Sequence, residues 1–255
     1  MVDNVKAVIL DKDGVFVNFQ SLWLRVIAYR AQLIAEYITS TWEKFNLVRT
    51  ACIRSMGVDE DDETIDPLAP CSMPFDMVRT ALETATYLAV FDYDPTIKWK
   101  KVSDIVERAL QETKEQLDVV ELSEPLEGSL EKINEIKSAG LKLGLFTSDS
   151  NTNTLNTLKK FDIVNAFDAV QVGRYKDTEL YELLCSSLSV TPSETILVSD
   201  SPRDLDAARN AGGYAIGVLS GVVGSDNISG LKVSADEVID SLASLDLSKF
   251  AGNKV

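Results

Sequence analysis

Four groups of residues in this chain have the types and spacing of a reaction centre. Asp11-Lys12-Asp13-Gly14 follows an apolar, β-branched run, Val5–Leu10, and sets two carboxylates two residues apart where Gly14 breaks the pattern. Thr147-Ser148-Asp149 follows a second apolar run, Leu141–Phe146. Lys176 stands just ahead of a helical pattern, and Asp200 closes a third run, Thr195–Ser199, with Asp204 four residues further on. Taken singly, each has an ordinary structural use as a turn, a helix cap or a surface lysine. Taken together, carboxylates supply a nucleophile, a proton donor and ligands for a hard cation, while a hydroxyl and an ammonium meet an anion.

The rest of the composition narrows the chemistry. The chain has 255 residues and no histidine, which removes Ser-His and Cys-His nucleophile pairs and every metal site built on imidazole. Its 40 Asp and Glu against 25 Lys and Arg give a formal net charge of -15, the wrong sign for a nucleic-acid backbone. Cys52, Cys71 and Cys185 are odd in number and widely spaced, so reduced, buried thiols are expected rather than disulfides or a zinc site. No basic segment followed by a long apolar stretch opens the chain and no run is long enough to span a bilayer, so a cytoplasmic protein with no membrane partner is expected.

The candidate residues fall at the ends of strands that alternate with helices. After Pro125 the pattern predicts helices over 129–138, 152–160, 178–188, 202–210 and 235–245, and strands over 141–146, 169–172, 195–199 and 214–218. Alternation of this kind implies parallel βαβ units in a doubly wound α/β sheet, which binds ligands beyond the carboxyl ends of its strands. The first strand lies far upstream. Between them, Leu22, Val26, Tyr29, Leu33 and Tyr37 recur at helical steps, a helical stretch is expected over 21–56, and helices resume over 75–90 and after the capping pair Asp94-Pro95. The six acids of 59–66 predict a solvated polar loop. The economical division is an α/β core, 1–16 with 121–255, and a helical insertion, 17–120.

At this point the sequence resembles the haloacid dehalogenase superfamily. The first motif of that family, DxDG after a first strand, corresponds to Asp11, Asp13 and Gly14; its second, Thr or Ser after an apolar strand, to Thr147; and its third, a lysine before the fourth strand, to Lys176, with Arg174 as the alternative. Its fourth, GDxxxD followed by AAxxAG, corresponds to Asp200 through Gly212. The likeness spans the whole core. Three positions depart from the family pattern: Asp177 stands where Pro is favoured, Ser199 where Gly is usual, and Ser148 where Asn is common. Spacing to Pro192 and Asp200 also favours Tyr175 over Lys176 by one residue. A helical insertion directly after the first motif resembles the C1 cap class, and Ile65–Met73 resembles its phosphoglycolate phosphatase-like members.

The resemblance implies a Mg²⁺-dependent phosphatase for a small phosphorylated metabolite, phosphoglycolate being the family-based substrate. It implies Mg²⁺ ligands in Asp11, the Asp13 carbonyl and Asp200, with Asp204 direct or through water. Asp11 is then the nucleophile, Asp13 the acid/base, and Thr147 and Lys176 the groups that hold the phosphoryl oxygens. Asp13 argues against a dehalogenase, whose halide leaving group needs no acid. A phosphomutase of the same fold, or a non-catalytic regulatory module on it, is the alternative. Phe16, Phe19, Ser72 and Met73 are candidates to face the site, while Trp23, Tyr29 and Trp42 sit at core-like spacing and are expected to pack.

Overall fold

A computed structural model describes residues 4–59, 64–66, 75–173, 175–221 and 228–250. The chain divides into two compact units, one comprising residues 1–19 with 123–255 and the other residues 20–122.

The first unit is built on a six-stranded sheet of order β5-β4-β1-β6-β7-β8, in which every neighbouring pair is parallel. The strands are β1 (Ala7–Leu10), β4 (Lys142–Thr147), β5 (Ala169–Val172), β6 (Thr195–Ser199), β7 (Tyr214–Val218) and β8 (Glu237–Ile239). Helices α6 (Ser129–Ser138), α7 (Asn151–Lys160), α8 (Thr178–Ser187), α9 (Pro202–Ala211) and α10 (Ile228–Ser234) connect or flank them. This is the α/β architecture that the alternating pattern predicts. β1, β4 and β6 are apolar throughout their centres because both sheet faces are covered, as a central parallel sheet requires. Val8, Leu10, Leu143, Leu145, Ile196 and Val198 form one face of this core, and Ile9, Phe146, Tyr181, Leu184 and Leu197 the other.

The second unit holds α1 (Phe19–Ile38, its first residue counted with the other unit), α2 (Trp42–Ser55), α3 (Phe75–Phe91), α4 (Trp99–Gln116) and α5 (Val119–Leu122). On α4 the buried residues Val102, Val106, Ala109, Leu110 and Thr113 recur at three- and four-residue steps, the stripe of a helix packed on one side. Arg79 on α3 donates through Nε to Glu83 (2.8 Å) and through Nη2 to Ser103 of α4 (3.2 Å).

Several expectations are corrected. The helical stretch over 21–56 is two helices, separated where Thr39 turns its hydroxyl back to the Ala35 carbonyl (2.7 Å) and Thr41 starts α2. Asp94-Pro95 does not open α4: the Asp94 carboxylate closes a turn on Thr96, and the helix begins at Trp99. The acidic segment is not all loop, since β2 (Val58–Asp59) and β3 (Thr64–Ile65) pair antiparallel. The terminal helix expected over 235–245 is absent. α10 ends at Ser234, Asp236 N–H joins the Ala215 carbonyl (2.8 Å), and β8 adds to β7. Pairing with an open sheet edge outweighs local helical spacing there. Trp42 is not a packing residue: it is 75% exposed, and its ring stacks on Phe45.

Candidate active site

Parallel register brings the candidate residues to one sheet edge. Leu10 lies opposite Leu145 and Val198, so Asp11 follows β1 at the level where β4 and β6 end, one residue short of Thr147 and Asp200. Asp11 N–H still donates to the Val198 carbonyl (2.9 Å), which holds the residue against β6 as the chain leaves the sheet. The turn that follows is compact: Gly14 N–H bonds the Val17 carbonyl (2.9 Å), and the amides of Phe16 and Val17 both reach the Lys12 carbonyl. Gly14 has φ +78°, and a Cβ there would stand 2.4 Å from Asp200 Oδ2. Gly221 crowds the same carboxylate oxygen, and a Cβ there would lie 1.8 Å from Oδ2. Both positions admit only glycine, so that backbone closes on Asp200.

Lys176 lies in the loop between β5 and α8 and is 8% exposed. Its Nζ is 2.8 Å from Asp11 Oδ2 and also pairs with Asp204. Burial alone would depress the ammonium, but Asp11 and Asp204 outweigh it and hold Lys176 above its ordinary pKa. Burial pushes the Asp11 carboxyl above the usual range, an effect that Lys176 opposes. The side chain that reaches Asp11 is thus that of Lys176, while Tyr175 is half exposed; Arg174 lies outside the described residues. Asp177, which stands where the family favours Pro, caps α8 by accepting from Leu180 N–H (2.9 Å).

Asp204, on the first turn of α9, is 2% exposed, and its carboxylate is committed to Lys176 and to the Ser199 hydroxyl (3.1 Å). Thr147 is buried at the end of β4, and its Oγ1 accepts from Asp149 N–H (3.2 Å). Asp13 lies beside Asp11 in the turn, its Oδ1 held by Lys12 Nζ (2.8 Å). Burial raises the Asp13 carboxyl too, against the opposing Lys12 charge.

Three residues to whose side chains the sequence assigns no partner also reach the cluster. The Ser199 hydroxyl lies within reach of both Asp11 Oδ2 (3.3 Å) and Asp204 Oδ2 (3.1 Å), a role signalled only by a polar residue ending an apolar strand. Lys12 Nζ and Asp149 Oδ2 form an ion pair at 3.2 Å. Phe16, a candidate to face the site, is fully buried in the core of the first unit and packs near Phe167. Phe19 is also buried, and Ser72 and Met73 lie outside the described residues.

A divalent cation suits this donor set. Among the described residues no three His, Cys, Asp or Glu side chains converge as a metal cluster. Mg²⁺ does not need such a cluster: it takes one or two carboxylates, and waters complete its shell. Asp11 and Asp200, both nearly buried, and the Asp13 main-chain carbonyl are hard oxygen donors at the ends of adjacent strands. Among the described residues, no helix is long and apolar enough to cross a membrane.

The chain is 29% identical over 228 residues to a phosphorylated carbohydrates phosphatase of Thermotoga maritima, a match covering 88% of each protein. It is 31% identical over 101 residues to a validoxylamine A 7'-phosphate phosphatase of Streptomyces hygroscopicus subsp. limoneus, covering 37% of this chain and 47% of that protein. The chain spans about half or less of the length of several curated relatives. A crystal structure of a HAD family hydrolase from Deinococcus radiodurans R1 superposes with a TM-score of 0.61 at 17% identity, over 96% of this chain and 95% of that one, and so shares the fold. The family model for haloacid dehalogenase-like hydrolase matches residues 76–218, more than half of the chain, including Thr147, Lys176, Asp200 and Asp204. With Asp11 brought to the same sheet edge by β1, the chain belongs to the haloacid dehalogenase-like hydrolases.

Proposed function

We propose that this protein is a Mg²⁺-dependent phosphatase that hydrolyses a small phosphate monoester, phosphoglycolate-like in size and charge, through an aspartyl phosphate on Asp11. The observation that carries this reading is the Lys176 ammonium held on Asp11, with Asp13 beside it in the turn and Asp200 just past the end of the neighbouring strand. Two of the relatives named above are a phosphorylated carbohydrates phosphatase and a validoxylamine A 7'-phosphate phosphatase, which supports a phosphate monoester substrate. The reading goes with the domain division into a core of 1–16 with 121–255 and a cap of 17–120 that carries specificity.

Asp11, Asp200 and the Asp13 carbonyl would hold Mg²⁺, with Asp204 direct or through water, and the bound ion would supply the positive charge that lets a carboxylate approach a phosphate dianion. Thr147 Oγ1 and Lys176 Nζ hold the phosphoryl oxygens. An Asp11 oxygen attacks phosphorus, forming an O–P bond as the bond to the leaving oxygen breaks. Asp13 gives its proton to that oxygen, and the alcohol departs. Now a carboxylate, Asp13 takes a proton from water, whose oxygen attacks the aspartyl phosphate. The Asp11–phosphorus bond breaks, inorganic phosphate leaves, and both carboxyl groups return to their starting forms.

The raised Asp13 fits a group that must be protonated in the first step and ionised in the second. Phosphate release from an aryl phosphate, with and without chelator, tests the activity, and a phosphometabolite panel ranks substrates. Chelator-sensitive release is expected. No release from any ester, or transfer of phosphate between sugars in place of hydrolysis, contradicts the reading.

A further inference from the structure

Lys12 is 3% exposed, yet its Nζ joins two carboxylates that different strands deliver. Asp13 Oδ1, in the turn after β1, is 2.8 Å away, and Asp149 Oδ2, in the loop after β4, is 3.2 Å away. Asp149 is itself fixed: its Oδ1 accepts from Ser150 N–H (2.6 Å) and from Asn153 Nδ2 on α7 (3.2 Å), and its own N–H donates to Thr147 Oγ1. A continuous set of bonds therefore runs from the first turn of α7 through Asp149 and Lys12 to one oxygen of Asp13. A free Asp carboxylate turns about two bonds. Anchoring Oδ1 on a buried ammonium restricts both turns and reserves Oδ2 for another donor or acceptor.

We propose that Lys12 and Asp149 are positioning residues for Asp13, setting the direction in which its second carboxylate oxygen is presented to the leaving group. The inference rests on the acid/base reading of Asp13 given above. It predicts a signature that a purely structural pair lacks. A proton delivered to the leaving oxygen matters most when that oxygen leaves poorly, and little for a nitrophenolate. Loss of Lys12 must therefore weigh on poor leaving groups selectively.

The test is kcat/KM for Lys12→Met, Asp149→Asn and Asp13→Asn across phosphate monoesters running from nitrophenyl through phenyl to alkyl. Lys12→Met is expected to lose about 10²-fold on alkyl phosphates and less than about threefold on nitrophenyl phosphate, the size of effect that a misplaced catalytic group produces. Asp149→Asn follows the same slope with a smaller loss. Asp13→Asn is the steepest, and adding Lys12→Met to it steepens the slope no further. An equal loss across the whole series, or no loss, overturns the proposal. If Asp13→Asn is steep and Lys12→Met is flat, the positioning pair fails and the acid/base reading stands. If Asp13→Asn is itself flat, that reading fails and takes this one with it. Should circular dichroism find Lys12→Met unfolded, Asp149→Asn decides by the same slope, because it leaves the Lys12–Asp13 bond in place.

Discussion

The ammonium of Lys176 stands 2.8 Å from Asp11 Oδ2 and pairs also with Asp204, so a single buried cation joins the residue after β1 to the first turn of α9. Lys176→Met leaves two nearly buried carboxylates without that partner. Removing one member of a buried ion pair costs about 3–5 kcal/mol, and removing a group that stabilises developing charge costs about 10²–10³ in kcat. Lys176→Arg is not expected to restore either, because a planar fork does not replace a compact ammonium in this space. Thermal denaturation with steady-state kinetics checks both effects.

Gly14→Ala tests the closeness of the turn to Asp200. The backbone has φ +78°, and the new Cβ would meet Asp200 Oδ2 at 2.4 Å. Alanine in that conformation destabilises by more than about 1 kcal/mol, and displacement of the carboxylate would weaken the proposed cation site. A lower melting temperature and a higher Mg²⁺ concentration for half-maximal activity are expected. Unchanged Mg²⁺ dependence would separate Asp200 from the metal.

Ser199→Ala removes a fully buried hydroxyl that reaches Asp11 and Asp204 and accepts from Ser201 N–H (3.1 Å). The expected loss is about 1 kcal/mol of stability, the net worth of such a bond. Activity is expected to stay within about tenfold of the parent, because Lys176 still holds both carboxylates. Denaturant titration and kinetics measure the two.

Asp168 supplies a pH-dependent term away from the site. Partial burial raises its carboxyl, but Lys137 and the Leu143 N–H outweigh that and hold it below the ordinary 3.8. A carboxyl depressed in the folded state contributes stability above its unfolded pKa and loses it as pH falls through the folded value. Asp168→Asn is therefore expected to lower the melting temperature at pH 7 and to converge with the parent below pH 3.8. A difference that persists undiminished in acid contradicts the linkage.

Much of the centre was legible because strand-end chemistry is local. An apolar run followed by Asp, Thr or Asp-Ser-Pro announces both the strand and the residue beyond it, and parallel pairing then aligns the ends of β1, β4 and β6. What escaped was long-range. The Lys12 side chain has no assigned partner until β4 carries Asp149 beside it. The segment after Ser234 reads as helix until β7 offers an unpaired edge, and Trp42 reads as core until stacking on Phe45 leaves it in solvent. The spacing that favoured Tyr175 is overridden in space, since Lys176 is the side chain that reaches Asp11.

The central claim is that Asp11 is the nucleophile. Phosphate release from p-nitrophenyl phosphate with Mg²⁺, compared between the parent chain and Asp11→Asn, tests it most directly. The account predicts no turnover above background in a variant whose circular dichroism matches the parent. Full activity in Asp11→Asn would contradict it.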